Sequence, residues 1–282
     1  MSKPKIGVIG NGFVGSAIVG GFSLVADVMV HDNDALRSTH SLKELVTESE
    51  YIFVSVPTPM KKSENNKMDL TIMDNVIENI SKLSSSTSSI VILKSTILPR
   101  TTEKYAKKYK NIDFVFCPEF LTERTARLDF INSSRIIIGT EKDAVADKVE
   151  NMLRVRFPYT KIIKTDSTTA EFIKYMNNCF FAAKISIMNE FYQASVALDV
   201  DWDKALDGFL SDGRVGNSHL DVPGHDGQYG FGGKCFPKDI NAFINLFVEI
   251  GISPTMLEAA WEKNMEVRDE HDWESIIGAT SQ

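Results

Sequence analysis

The segment Gly-Asn-Gly-Phe-Val-Gly at positions 10–15 constrains the fold more than any other feature of this chain. It follows an apolar run at 5–9 and opens a helical pattern. In that context the glycines form a tight turn, admit a pyrophosphate and let the helix pack closely on the strand. Asp32 ends the next apolar run, where a carboxylate bonds both ribose hydroxyls and favours NAD over NADP. The sequence therefore predicts an NAD-binding Rossmann domain.

The predicted cofactor contacts extend beyond this turn. Val-Pro-Thr-Pro at 56–59 ends the third apolar run, and we expect it to cap the cofactor, although a plain proline loop is the alternative. The cofactor residues predicted from these two segments and the second run are Gly10, Gly12, Phe13, Val14, Gly15, Asp32, Pro57 and Thr58.

Strand and helix signals alternate up to about residue 165 and then change character. The strand signals are at 5–10, 27–32, 51–56, 89–95, 113–118, 135–140 and 160–165. Their nearly continuous apolar character predicts an α/β fold with a doubly wound parallel sheet at 1–164. An all-helical domain at 165–268 follows, built on a long central helix, and the tail at 269–282 is expected to be weakly structured. Thr168 and Glu171 match a capping box at the start of the long helix. Apolar residues on nearly all its faces predict a homodimer.

A second glycine-rich segment, Gly-Phe-Gly-Gly-Lys-Cys-Phe-Pro-Lys-Asp at 230–239, contains Cys235. A neighbouring cation favours the thiolate, which is the nucleophilic form, although a lone cysteine is more often a packing residue. Together with NAD, such a cysteine indicates oxidation of an aldehyde through a thioester. Lys174 and Asn178 are four residues apart on the predicted long helix and face the same side. They can hold an oxyanion, or they are a solvated lysine and an ordinary asparagine.

Composition excludes several classes of protein. A net charge of −7 and a pI near 5.4 argue against a nucleic-acid binder. No apolar stretch reaches the ~20 residues of a membrane span, so no membrane partner is expected. Three cysteines give no disulfide framework and predict a cytoplasmic location. No metal site is expected.

The motifs, taken in order, resemble the UDP-glucose 6-dehydrogenase family of nucleotide-sugar dehydrogenases. They are the two glycine-rich segments, Val-Pro-Thr-Pro, Lys-Ser-Thr at 94–96, Pro-Glu-Phe-Leu-Thr-Glu at 118–123, the helix positions 170–178 and Gly-Arg-Val-Gly at 213–216. The resemblance runs from the first strand to about residue 268, and the cysteine block is its most specific part. It implies NAD-dependent oxidation of the C6 alcohol of a nucleotide sugar, most simply UDP-glucose to UDP-glucuronate, in two hydride transfers by a homodimer.

The resemblance also assigns roles to single residues. It implies that Cys235 is the nucleophile, that Lys174 and Asn178 stabilise oxyanions, that Asp239 and Thr96 position a water, and that Glu123 assists proton transfer. Thr96 and Lys238 are implied to contact the cofactor as well. The residues implied to contact the substrate are Glu119, Phe120, Leu121, Gly232 and Arg214, the last reaching a neighbouring subunit's site.

Some positions depart from the family pattern. Cys117 stands where the family has asparagine, and Lys234, beside Cys235, replaces a small or uncharged residue; our hypothesis is that Lys234 favours the Cys235 thiolate. The family adds a C-terminal nucleotide-binding domain, so we expect a shortened form. Three alternatives stay open: an idle NAD-binding dimer, a subunit that needs a partner for the missing domain, and a simple NAD-dependent hydroxy-acid dehydrogenase. The choice among UDP-glucose, an N-acetylated UDP-sugar and GDP-mannose also stays open.

Overall fold

A computed structural model describes residues 3–84 and 89–281. Residues 1–2 and 85–88 of the predicted first domain and residue 282 of the predicted tail lie outside the described residues. The strands are β1 Lys5–Ile9, β2 Asp27–His31, β3 Tyr51–Val54, β4 Met60–Lys61, β5 Lys67–Met68, β6 Ile90–Leu93, β7 Asp113–Phe116, β8 Arg135–Gly139, β9 Lys161–Thr165 and β10 Thr280–Ser281. The α-helices are α1 Phe13–Phe22, α2 Leu42–Glu48, α3 Thr71–Leu83, α4 Thr101–Lys108, α5 Ala126–Ile131, α6 Asp143–Arg154, α7 Ser167–Ala197, α8 Trp202–Leu210, α9 Phe236–Glu249 and α10 Thr255–Val267.

The chain divides into two compact units. Unit 1 comprises residues up to Thr58 and Leu70–Lys174, and unit 2 comprises Pro59–Asp69 and the residues from Tyr175 onward. The division falls inside α7, ten positions after the predicted domain boundary, and gives a short segment of the first half to unit 2. The predicted boundaries at 164 and 268 therefore stay predictions about folding domains.

Unit 1 contains a seven-stranded sheet in the order β2-β1-β3-β6-β7-β8-β9. All pairs are parallel except β7–β8, so the predicted doubly wound sheet is confirmed, with strands close to the predicted bounds. Helices α1, α5 and α6 pack on one face through residues such as Phe22 and Leu153, and α2, α3 and α4 pack on the other through residues such as Leu45 and Ile77. Burial on both faces explains the nearly all-apolar strands.

The predicted helical segment at 165–268 is confirmed, because between β9 and β10, where every residue is described, the structure has α7, α8, α9 and α10 and no strand. Unit 2 also contains a three-stranded sheet outside that segment, in the order β10-β4-β5. These strands are two residues each, too short to leave an alternating pattern in the sequence.

The tail is more ordered than expected. Trp273 is 4% exposed, and β10 pairs in parallel with β4. Trp273 packs with Met60 and Trp261 in a small apolar cluster. These contacts join segments that are far apart along the chain, so no local pattern predicts them.

Helix α7 begins at Ser167, but the predicted capping box at its start is wrong. The side chain of Asp166 caps the helix by accepting from Thr169 N at 2.8 Å. The carboxylate of Glu171 instead accepts hydrogen bonds from Arg100 N at 2.6 Å and from Thr102 N at 2.8 Å, at the start of α4. Across the described residues 3–84 and 89–281, no helix combines the length and the hydropathy needed to cross a membrane.

Candidate active site

The turn between β1 and α1 is shaped by close backbone approaches. Gly10 has φ +88°, and a Cβ placed there would lie 2.6 Å from the carbonyl oxygen of Ser55. A Cβ on Gly15 would lie 1.9 Å from the carbonyl oxygen of Gly10, so helix and strand meet as the fingerprint predicts. A Cβ on Gly12 would meet no described atom within 4 Å. The turn therefore leaves space at its second glycine, beside the start of α1.

Two polar groups at this turn fit a dinucleotide. Asn11 N donates to Asp32 Oδ2 at 2.6 Å, and Asp34 N donates to Asp32 Oδ1 at 2.9 Å. Partial burial works against the charge of Asp32, but these N–H donors hold its pKa below the ordinary value. Asn11 Oδ1 is buried and accepts no hydrogen bond from any described residue. The ionised Asp32 can accept from ribose hydroxyls, the space at Gly12 can admit the pyrophosphate, and the Asn11 amide oxygen can accept a further hydrogen bond, so the site suits NAD. Phe13 and Val14 pack on the core.

The loops after β3 and β6 are tied together. Thr58 Oγ1 donates to the carbonyl oxygen of Thr96 at 2.8 Å, and Ser95 Oγ donates to that of Val56 at 2.6 Å. Thr58 is 4% exposed, whereas Pro57 is exposed. Thr58 thus holds the segment that presents Thr96, a positioning contact that the sequence did not reveal.

A buried ion pair follows the ends of β6 and β7. Lys94 Nζ lies 3.2 Å from Glu119 Oε2, with both side chains almost fully buried. Burial disfavours the ammonium, but the neighbouring Cys117 sulfur and the Glu119 carboxylate together hold the pKa of Lys94 above its ordinary value. Burial raises the pKa of the Cys117 thiol, whose sulfur is 3.9 Å from Lys94 Nζ, so this thiol is neutral. Cys117 is a packing residue beside a charged pair.

The same pair positions the segment that follows β7. Glu119 Oε1 accepts from Phe120 N at 2.6 Å and from Leu121 N at 2.9 Å. The buried Lys174 of α7 donates to the carbonyl oxygen of Glu119, and its ammonium lies 5.4 Å from the Phe120 ring. A cavity of about 270 Å³ adjoins these residues. Unit 1 therefore brings Lys174, Glu119, Phe120 and Leu121 together, while Glu123 is exposed on a 3₁₀ turn after them.

In unit 2, Cys235 is partly buried at the N-cap of α9. A helix N-terminus presents unpaired N–H groups and a positive dipole end, both of which favour a thiolate. Pro237 occupies the first turn of α9, where its missing N–H costs nothing. The predicted cysteine therefore begins a fourteen-residue helix.

Asp239, one turn into α9, is fully buried and paired. Asn178 Nδ2 donates to its Oδ2 at 2.6 Å, and Lys238 Nζ lies 2.5 Å from its Oδ1. Asn177 Nδ2 donates to Asn178 Oδ1 at 3.3 Å, which orients the Asn178 amide. Unit 2 therefore brings Asp239, Asn178 and Lys238 into one cluster, on the same helix as Cys235. Burial also raises the pKa of the nearby Cys179 thiol well above its ordinary value, so that this thiol is protonated.

Two predicted substrate residues lie in the loop before Cys235. Arg214 is 89% exposed, and its guanidinium pairs with Asp212. A Cβ on Gly232 would lie 2.3 Å from Arg268 Nη2 and 2.4 Å from Asp272 Oδ1. The absence of a side chain at Gly232 thus leaves room for the side chains of Arg268 and Asp272.

The sequence placed Lys94 in a motif but indicated no role for it, and it did not reveal the side chains that hold the second glycine-rich turn. A lysine directly after the all-apolar run of β6 was a usable signal, because a buried cation needs a buried anion. The residues that hold the turn, Asn189, Asn264, Arg268 and Asp272, leave no local signal, because they lie on other elements.

Two family models match the chain in succession. Residues 23–155 match the NAD-binding domain of the UDP-glucose/GDP-mannose dehydrogenase family, and residues 168–266 match the central domain of the same family. The UDP-glucose 6-dehydrogenase AglM of Haloferax volcanii is 31% identical over 246 residues, which cover 82% of this chain and 55% of that protein. The chain spans about half the length of the curated relatives it matches.

Solved structures share the fold. A UDP-glucose dehydrogenase from Pyrobaculum islandicum superposes with a TM-score of 0.81 and 25% identity, over 94% of this chain and 68% of that one. The 3-hydroxyisobutyrate dehydrogenase of Mycobacterium tuberculosis superposes with a TM-score of 0.75 over 96% of both chains, at 16% identity. The second likeness concerns the fold alone.

Proposed function

Because the chain belongs to the UDP-glucose/GDP-mannose dehydrogenase family and carries its NAD-binding domain, we propose that it oxidises the C6 alcohol of a nucleotide sugar to a carboxylate. UDP-glucose is the substrate we favour, because several relatives that match more than four fifths of this chain are named for it. The observation that carries the proposal is Cys235 at the start of α9, one turn before a fully buried Asp239 that Asn178 and Lys238 hold.

The turn at residues 10–15 and Asp32 would hold NAD, and two NAD molecules bound there in succession would each accept one hydride. Cys235 acts after the first oxidation has produced the C6 aldehyde, and it stays bonded to C6 through the second. Its sulfur adds to the C6 aldehyde and its proton passes to the carbonyl oxygen, giving a thiohemiacetal. Oxidation converts this to a thioester, and water then breaks the C–S bond, releasing the carboxylate and restoring the thiol.

The remaining roles follow from charge and hydrogen bonding. Lys174 and Asn178 supply donors for the oxygen that becomes negative at C6, since preorganised donors stabilise such charge strongly. Asp239 and Thr96 position the hydrolytic water, and Glu123 takes up its proton. Supporting these assignments, the Lys174 ammonium and the Asn178 amide are both almost fully buried, with fixed partners. Glu119, Phe120, Leu121, Gly232 and Arg214 are proposed to contact the sugar nucleotide.

A direct assay tests this function. Purified protein with NAD is given UDP-glucose, an N-acetylated UDP-sugar and GDP-mannose separately, and NADH is followed by absorbance. We expect two NADH for each UDP-glucose consumed and a uronic acid as product. NAD binding without turnover on any sugar would favour the idle dimer or the subunit that needs a partner, and pull-down from the native source would separate those two.

A simple hydroxy-acid dehydrogenase is the second candidate, because it needs only an NAD-binding Rossmann domain followed by helices, an order of elements that this chain has. That chemistry transfers one hydride and needs no cysteine. One NADH per substrate, unchanged by Cys235→Ala, would support it over the nucleotide-sugar reaction.

We propose a homodimer through α7. In the single chain, Met176, Phe180, Ile187 and Phe191 lie along one helix face and are 46–63% exposed. An apolar stripe of this kind marks an interaction surface. Phe180→Glu with Phe191→Glu should lower the mass measured by light scattering to that of a monomer, whereas Lys204→Glu, at an exposed site on α8, should leave it unchanged. The cytoplasmic location stays a prediction.

A further inference from the structure

The glycine-rich turn before Cys235 is held by side chains from three other elements of unit 2. Gly230 N donates to Asn189 Oδ1 of α7 at 3.1 Å. Asn264 of α10 pairs with both backbone groups of Phe231, accepting from its N–H at 2.6 Å and donating to its carbonyl oxygen at 3.0 Å. Gly233 N donates to the carboxylate of Asp272, at 3.1 and 3.0 Å to the two oxygens. Of these three contacts, the one made by Asp272 lies nearest to Cys235 along the chain.

Asp272 is fixed by a buried arginine. Arg268, whose side chain is 2% exposed, places Nη2 at 3.4 Å from Asp272 Oδ2 and at 2.9 Å from Asp226 Oδ2. Its Nε donates to the carbonyl oxygen of Glu270 at 2.9 Å. A guanidinium that is shared between two carboxylates holds both in defined positions. The tail residue Asp272 therefore acts as a rigid acceptor.

The segment around Asp272 is itself anchored. Trp273 is buried, its ring lies 5.6 Å from that of Trp261, and β10 pairs with β4 a few residues later. Gly233 has φ +73°, a conformation that most residues avoid, so its geometry needs support from outside the turn. Asp272 gives that support at Gly233, which lies two positions before Cys235.

We infer that Asp272, oriented by Arg268, is a positioning residue for the Cys235 thiol, so that the tail after α10 is part of the catalytic apparatus. The inference rests on the proposed role of Cys235 as nucleophile. It predicts a specific defect when the contact is lost: the turn loosens, the thiol becomes easier to reach, and catalysis slows, because a displacement of about 1 Å at a reacting group can cost about a hundredfold in rate.

The test compares Asp272→Ala with the matched control Glu274→Ala. Glu274 is an exposed carboxylate of the same tail segment, and its partners Lys62 and His271 lie at the surface. Iodoacetamide alkylation of Cys235 is followed by peptide mass spectrometry across a pH series, together with kcat, KM, NAD affinity and Tm. In Asp272→Ala we expect the limiting alkylation rate at high pH to rise about tenfold, as expected for loss of a charge-assisted hydrogen bond. We expect kcat to fall about a hundredfold, with NAD affinity unchanged. Glu274→Ala should match the wild type.

Asp272→Asn provides the rescue. Its amide oxygen still accepts from Gly233 N but forms no ion pair with Arg268, so kcat and alkylation should return most of the way to wild-type values. If Asp272→Ala fails to fold, Asp272→Ser, whose shorter side chain lacks the carboxylate, takes its place in the comparison with Glu274→Ala. Unchanged alkylation and kcat in Asp272→Ala, or equal losses in Glu274→Ala, would overturn the inference. If the wild type forms no NADH with any sugar, the proposed function fails, while the alkylation rates still decide whether Asp272 positions the thiol.

Discussion

The two glycine-rich turns of this protein both lead into a helix, yet they are held in different ways. The turn before α1 is fixed by its own backbone, since Gly15 closes on the Gly10 carbonyl, and by Asp32 about twenty residues on. The turn before α9 is fixed by Asn264 and Asp272, side chains that reach it from α10 and the tail.

The difference matches the work proposed for each turn. A turn that binds phosphate needs only exposed N–H groups and the absence of side chains, which a short glycine pattern provides. A turn that carries a nucleophile must hold one sulfur in place, and that requires supporting contacts from rigid elements. The first turn can therefore be predicted from a motif, and the support of the second cannot.

The largest expected effect separates two glycines of the first turn. Gly12→Ala places its Cβ in open space, so Tm should stay near the wild-type value while NAD affinity falls about 100-fold, because the methyl occupies the space left for the pyrophosphate. Gly15→Ala forces a Cβ against the Gly10 carbonyl and should lower Tm as well. Calorimetric titration and thermal unfolding measure both. If the two variants had the same Tm and the same NAD affinity, the different roles given to Gly12 and Gly15 would be wrong.

The second turn predicts a loss of stability from a distant residue. Asn264→Ala leaves the N–H and carbonyl oxygen of Phe231 buried without partners, which should cost about 4 kcal/mol in the free energy of unfolding. Glu262→Ala, at an exposed site on the same helix, should change it by less than about 0.5 kcal/mol. Urea denaturation compares them. A loss of under about 1 kcal/mol in Asn264→Ala would show that the turn does not depend on α10.

Local pattern explains how much of the fold the sequence could predict. Strands β6 and β8 are short apolar runs between polar residues, so the predicted strands at 89–95 and 135–140 contain them. The sequence did not reveal the pairing of β4 with β10 or the burial of Trp273, because those contacts join residues about two hundred positions apart. In the candidate site, Cys235 was recognised from its motif, whereas Lys94 and Asp272 act only through contacts made on folding.

The start of α4 is also held by a side chain from another helix, the Glu171 carboxyl of α7. This contact predicts a smaller change in the free energy of unfolding, which depends on pH. Burial raises the pKa of Glu171 from 4.5 to about 7 despite its hydrogen bonds to Thr102 and Arg100. Between these pH values the folded protein keeps a proton that the unfolded chain releases. The free energy of unfolding should therefore fall as pH rises from 4.5 to 7, by no more than about 3 kcal/mol, and level off above pH 7.

Glu171→Gln mimics the protonated side chain and should flatten that slope. Urea denaturation at several pH values gives the comparison, with Glu103→Gln, a half-buried site on α4 that pairs with Lys107, as the control. An unchanged slope in Glu171→Gln would assign the pH dependence to another group.

The central claim is that one turn serves the hydride acceptor and the other serves a covalent nucleophile. It is tested most directly by counting NADH and uronic acid formed from a limiting amount of UDP-glucose by the wild type and by Cys235→Ala. The account predicts two NADH and one uronic acid per sugar for the wild type, and for the variant no uronic acid while NAD still binds. Uronic acid formed by Cys235→Ala at the wild-type rate would contradict it.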